Sequence, residues 1–138
     1  MAKTNNVDVL GSVRIFSGLS KGELKAVAAE AREELYSPGQ EIVTQGQSGG
    51  PFFVVTEGRV DIVRDGKTVA EQGPGSAFGE RSLFEGGPRT ATVRAQTHVK
   101  ALAITSWNFL AILQDNWDIT KKILADLANR LSIAEGSH

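Results

Sequence analysis

Glu80 and Arg89 are the residues of this chain whose types and spacing most readily do chemistry together. They stand nine positions apart (89 minus 80), across Gly86-Gly87-Pro88. Phe78-Gly79 precedes the acid, and Thr90-Ala91 follows the base. A glycine that opens a short helix leaves neighbouring backbone N–H groups without intrahelical partners, and such a helix start attracts an anion. The missing Cβ lets a ligand come close. Arg89 can hold a phosphate through two parallel bonds, which lysine cannot match. A carboxylate would repel that anion, so Glu80 is read as an acceptor for a neutral hydroxyl. Thr90 adds a hydroxyl of its own. The set suits a ligand with one phosphate and one adjacent sugar hydroxyl. Taken alone, the two residues suit equally well a surface ion pair contributing less than about 1 kcal/mol.

Other chemistries find little material. Cysteine is absent, which removes disulfides and thiolate chemistry. The two histidines, His98 and His138, do not make a metal set, and His98 reads as a loop or strand-edge residue. No nucleophile, base and orienting group fall into a recognisable arrangement, so an enzyme is not expected. A formal net charge of -1 argues against a nucleic-acid surface. No apolar run approaches the length of a membrane span, and Met1-Ala2-Lys3-Thr4-Asn5-Asn6 lacks the apolar core of a signal peptide. A cytoplasmic protein without membrane insertion is the expectation. At 138 residues with 41% hydrophobic content, one domain over 1–138 is expected.

The elements that must position these residues fall into three blocks. Residues 4–31 read as helical: Ser20 and Glu23 form a capping box, with Leu19 and Leu24 as hydrophobic staple. Between 32 and 105 the period shortens to that of strands. Eight short runs rich in β-branched and aromatic residues are separated by Pro38-Gly39, Gly46, Gly49-Gly50, Glu57-Gly58, Asp65-Gly66 and Pro74-Gly75. Asp65-Gly66 predicts a type I′ hairpin turn. One of the eight is expected over Thr90–Ala95, with Ala91, Val93 and Ala95 on one face, leaving room inside. From 106 to 135 two helices follow. One is an apolar helix around Trp107–Leu113, and one starts at Asp118 with Ile119, Ile123, Leu124, Leu127 and Leu131 on a stripe. The fold class is α+β: an eight-stranded antiparallel jelly roll flanked by N-terminal helices and two C-terminal helices.

The full stretch is more telling than its two charges. Phe78-Gly79-Glu80, Leu83, Pro88-Arg89-Thr90-Ala91, then Val93 and Ala95, resemble the phosphate-binding cassette of cyclic nucleotide-binding domains. That family includes the bacterial catabolite activator protein, kinase regulatory subunits and cyclic-nucleotide-gated channels. Ile15-Phe16-Ser17-Gly18-Leu19-Ser20, Pro38-Gly39-Gln40-Glu41-Ile42 and Val55-Thr56-Glu57-Gly58 resemble further family segments, so the likeness covers nearly the whole chain. It implies that Glu80 accepts the ribose 2′-hydroxyl and that Arg89 pairs with the cyclic phosphate. Phe78, Gly79, Arg81, Ser82, Thr90 and Ala91 complete the site, Arg81 departing from the family's usual aliphatic residue and pointing to solvent. Val60, Ile62, Val69 and Arg130 are the candidates for the base pocket.

The resemblance further implies a cyclic nucleotide receptor that needs no cofactor. cAMP is favoured over cGMP: a threonine after the arginine accompanies cGMP in several eukaryotic members, but bacterial cAMP receptors carry Ser or Thr there. The helix around Trp107–Leu113 would act as hinge, following the cassette through Leu83 and Phe84, and the last helix would close as a lid. The partner would be a protein effector or a covalently linked output domain, so the chain reads as a sensory domain or a stand-alone receptor. Two competing readings are an interaction module of the same fold that no longer binds nucleotide and a cupin-like jelly-roll enzyme. The second would need a His/Glu metal cluster that the sequence does not supply.

Overall fold

The computed structural model describes residues 6–80 and 87–135, without the side chains of 134 and 135. Helices α1 (Asn6–Gly11) and α2 (Lys21–Ala29) come first, joined through a 3-10 turn at Arg14–Phe16. Strands β1 (Arg32–Tyr36), β2 (Glu41–Val43), β3 (Phe52–Glu57), β4 (Val60–Arg64), β5 (Lys67–Gln72), β6 (Ala77–Phe78), β7 (Thr92–Ala95) and β8 (Val99–Ile104) follow. Helices α3 (Ser106–Asp115) and α4 (Trp117–Glu135) close the chain. The strands pair antiparallel into two four-stranded sheets, ordered β1-β8-β3-β6 and β2-β7-β4-β5. This is the jelly roll the turn spacing predicts. Among the described residues, no helix is long and apolar enough to cross a membrane.

Two cores share one sheet. Strands β3 and β8 are buried on both faces, which is why Phe52-Phe53-Val54-Val55 and Ala101-Leu102-Ala103-Ile104 read as unbroken apolar runs. Phe52, Val54, Leu102 and Ile104 pack outward with the helical residues Leu10, Phe16, Phe109, Ile119 and Ile123. Phe53, Val55, Ala101 and Ala103 pack inward, with Val60, Val93 and Ala95 from the other sheet. The helical layer and the interior of the roll are thus two sides of the same strands. Phe16 contacts Phe52 edge-on at 6.1 Å, and Phe53 stacks on Phe78 at 5.4 Å.

Local chemistry sets the boundaries. Ser20 Oγ accepts from the Glu23 N–H at 3.2 Å, and the Glu23 carboxylate accepts from the Ser20 N–H at 2.8 Å. Glu23 also accepts from Lys122 Nζ of α4 at 2.7 Å, tying the first helical layer to the last. Asp65 and Gly66 sit at φ 52° and 79°, the two positive values a type I′ turn demands. Thr105 caps α3 through its hydroxyl. Asn116 alone separates α3 from α4, and the Thr120 hydroxyl donates back to Leu113 O at 2.6 Å.

Two expectations change. The strand after Arg89 begins at Thr92, because 87–91 run as a loop against 45–49: Gly46 N donates to Arg89 O, Arg89 N to Gln47 O, and Gly49 N to Gly87 O. The α4 stripe splits in two. Ile119 and Ile123 are buried and Leu127 is partly so, while Leu124 and Leu131 are exposed. Leu83 and Phe84, expected to couple cassette to hinge, lie outside the described residues. Replacing Ser20 by Ala should lower stability by about 1 kcal/mol. A thermal melt should then fall by roughly 3–5 °C; an unchanged melt would mean that the cap contributes nothing.

Candidate functional site

Arg89 is the centre of the site. Its residue is only 8% exposed, yet no carboxylate pairs with it among the described residues. Nε donates to Gly49 O at 3.1 Å, and Nη2 donates to Pro51 O at 2.6 Å. Nη1 is buried with no hydrogen-bond partner among the described residues. Burial pushes the guanidinium's pKa down, the direction expected of a cation withdrawn from water.

The backbone around it is shaped by glycine. Gly79 lies at φ +90°, and a Cβ there would meet Arg89 Nη1 and, at 3.0 Å, Pro51 O. Gly50 lies at φ +91°, and a Cβ there would stand 2.9 Å from Arg89 Nη2. Both positions therefore need glycine twice over, for conformation and for space. The tract Gly49-Gly50-Pro51 that forms this cradle was read from sequence as an ordinary turn. Its signal was available: Gly-Gly-Pro recurs at 86–88, immediately before the same arginine.

A cavity of about 480 Å³ opens beside Arg89, within the range of small-ligand sites. Its apolar wall is built from Val43, Ile62, Phe78, Ala91 and Val93. Its polar groups belong to Glu80, Arg89, Thr90, Arg64 and Gln72. Arg64 and Gln72 carry no role in the sequence reading. The structure thus brings Phe78, Gly79, Glu80, Arg89, Thr90, Ala91 and Ile62 to one space, while Arg81 and Ser82 lie outside the described residues.

Three other candidates stand elsewhere. Val60 is fully buried between the sheets and does not line the cavity. Val69 is 53% exposed. The reason is a bulge: Ile62 pairs with Ala70 and Val63 with Thr68, so Val69 is the extra residue of β5 and is turned out. Arg130 does not line the cavity either. It reaches from α4 to Glu80, with Nη2 3.0 Å from Oε1. Its Nε is 3.1 Å from Asp126 Oδ2, an ion pair whose geometry is off-line for a hydrogen bond. Burial alone would lower the Arg130 pKa, but the hydrogen bond and charge of Glu80, with those of Asp126, turn the net direction upward.

The arrangement sets a buried guanidinium at one end, a carboxylate on the same wall, and an apolar slot beyond them. A family model for the cyclic nucleotide-binding domain matches residues 33–116, more than half of the chain. A cAMP-dependent protein kinase regulatory subunit of Yarrowia lipolytica is 35% identical over 101 residues, which is 73% of this chain and 27% of that protein. Its counterpart in Eremothecium gossypii is 35% identical over 117 residues, 85% of this chain and 25% of that protein. The chain thus spans about a quarter of the length of these curated relatives. Among solved structures, the N-terminal domain of a transcriptional regulator from Streptomyces coelicolor superposes with a TM-score of 0.87 at 33% identity, covering 94% of both chains. The Thermus thermophilus catabolite activator protein gives a TM-score of 0.73 at 31% identity, covering 88% of this chain and 60% of that one. On the matched cassette, the shared jelly roll and these likenesses, the chain belongs to the cyclic nucleotide-binding domain family.

Proposed function

We propose that this domain is a receptor, not an enzyme, for a 3′,5′-cyclic nucleotide, with cAMP favoured, and that ligand binding shifts its C-terminal helices. The observation that carries the reading is Arg89: a buried guanidinium with a spare donor, facing a cavity and lacking a carboxylate partner among the described residues. A cyclic phosphate supplies the missing charge and two acceptors. Glu80, next to the phosphate end, accepts the ribose 2′-hydroxyl. Gly79, Thr90 and Ala91 bring backbone and hydroxyl groups to the same end, with Phe78 behind them; Arg81 and Ser82 belong to the same cassette. Ile62 and Val93 bracket the base. The favouring of cAMP draws support from the two kinase regulatory subunits named above.

Glu80 also supplies the route to the switch. It faces the cavity and is held by Arg130 of α4. A hydroxyl that engages Glu80 therefore acts on the group that anchors α4. Ligand can shift α4 only by binding its two positions with different affinity. A protein effector or a linked output domain then reads α4. The kinase subunits and the transcriptional regulator among the relatives are precedents for such an output.

Three measurements test this. At a cAMP concentration 100 times the dissociation constant, stabilisation should be about 2.7 kcal/mol, raising the melting temperature by roughly 5–15 °C. No rise at millimolar cAMP or cGMP would sink the receptor reading. Arg89→Lys should weaken cAMP binding about 10- to 100-fold in calorimetry, because the paired charge-assisted bonds are lost. Equal affinity would remove Arg89 from the phosphate. Saturating cAMP should change amide hydrogen exchange along α4, and Arg130→Ala should reduce that change. An α4 indifferent to ligand would leave a binding domain without a switch.

A further inference from the structure

The tract 45–51 must be fixed for Arg89 to be aimed, and its two ends are anchored unequally. Its carbonyls at Gly49 and Pro51 take the guanidinium. Gly46 N donates to Arg89 O at 2.9 Å, and Arg89 N donates to Gln47 O at 2.8 Å. Downstream the tract enters β3, which is paired on both sides. Upstream it leaves β2, an edge strand of three residues whose register with β7 shifts between Glu41 and Val43. A second support reaches this weaker end from the tip of the β4–β5 hairpin. Gln45 Nε2 donates to Asp65 Oδ1 at 2.8 Å, and Asp65 N donates to Gln45 Oε1 at 2.9 Å. One side-chain amide thus closes a two-bond clip with a residue 20 positions away. The Gln45 backbone is held too, its N–H donating to the buried Thr92 hydroxyl at 2.9 Å. Beside Asp65, Arg64 Nε donates to Thr90 O at 3.3 Å. The hairpin tip therefore grips both tracts that frame Arg89.

We propose that Gln45 and Asp65 are positioning residues for Arg89, setting the affinity for the cyclic phosphate without touching the ligand. The inference rests on the reading of Arg89 as the phosphate site. Neither Gln45 nor Asp65 lines the cavity, so neither is placed to meet a ligand directly. Their route to it runs through the tract. Gln45 precedes Gly46 and Gln47, which fix the Arg89 backbone, and the same tract carries the carbonyls that fix its Nε and Nη2. A bond from a guanidinium to a phosphate depends steeply on its length and line. A donor held in place before the ligand arrives spares the complex the cost of ordering it. Opening the clip leaves the tract anchored upstream by a short, irregular edge strand, and the aim of Nη1 loosens with it. The turn suits this duty. Asp65 sits at φ 52°, so the hairpin geometry itself presents its N–H and carboxylate to Gln45.

The test is a pair of double-mutant cycles on the whole domain, read by calorimetric titration with cAMP and cGMP. Gln45→Glu sets a carboxylate against Asp65 and opens the clip; it should weaken both nucleotides about tenfold. Adding Asp65→Asn returns a donor to the pair, and asparagine tolerates the positive φ of that turn. The double variant should bind within about threefold of wild type. In an Arg89→Lys background, Gln45→Glu should cost less than about threefold, because the paired bonds it misaligns are already gone. A thermal melt checks that each variant folds. If Gln45→Glu does not, Gln45→Met, which keeps the length and removes both bonds, takes its place in the cycle with Arg89→Lys. A clip variant that melts lower yet binds as wild type would make the clip purely structural and overturn the proposal. So would equal costs with arginine and with lysine at 89, or a second substitution that restores nothing. If wild type binds neither nucleotide, the receptor reading falls and this inference with it. If wild type binds and the cycles are additive, this inference alone fails.

Discussion

A buried arginine with no partner carboxylate among the described residues is the constraint on which the site depends. Removing a guanidinium from water costs several kcal/mol. Hydrogen bonds to a charged group return about 1.5–3 kcal/mol each. Arg89 makes two, to Gly49 O and Pro51 O, and keeps Nη1 buried and unpaired among the described residues. The domain therefore holds its arginine near balance, with one donor, Nη1, left over for the phosphate of the proposed ligand. The glycines follow from this. Gly50 and Gly79 approach the guanidinium so closely that a methyl group would collide with it. The loop 44–51 exists as a collar for one side chain.

A packed path leads outward from that collar because the central strands have no idle face. β3 presents Phe53 inward, where it stacks on Phe78 beside Gly79, and Phe52 outward, where it meets Phe16. Phe16 in turn meets Phe109 of α3 at 6.3 Å. Close-packed interiors pass displacement on, since voids are few and rotamers are fixed by neighbours. A small movement of the Phe78-Gly79 segment therefore has a packed path to α3. The path is physical contiguity only. Coupling energy along it is a separate quantity.

Much of this was legible in the residues. The capping box at Ser20 and Glu23, the Asp65-Gly66 turn and the two-sided runs in β3 and β8 are local signals, set by hydrogen bonding and burial within a few residues. That Glu80 and Arg89 face one cavity was legible by type and spacing. What was not legible depends on pairing across the chain. Val69 looks like a pocket wall in an alternating strand, but a bulge that exists only when β4 pairs with β5 turns it to solvent. Val60 alternates with Ile62, and only the depth of the roll separates core from cavity. Arg130 was foreseen near the base, yet Glu80 captures it, a contact spanning fifty positions (130 minus 80). Leu124 and Leu131 share the helical period of Ile119 and Ile123, but a layer one helix thick can bury only one side of that stripe.

Glu80 gains a second meaning from that capture. A carboxylate has two oxygens and about four acceptor positions. Arg130 occupies Oε1 through one donor, so acceptor capacity on the same carboxylate remains for a hydroxyl. The proposed ligand and α4 need not compete for Glu80; they can share it. If they share it, the hydroxyl draws negative charge away from Arg130, and the weakening is felt at Asp126 one turn earlier on α4. Asp126 and Arg130 already form a pair within the helix, so α4 does not lose its local charge balance when Glu80 loosens. In the proposed switch the cation would stay compensated in both positions of the helix. Two states so balanced would lie close in energy, and a modest ligand preference would be enough to move the population.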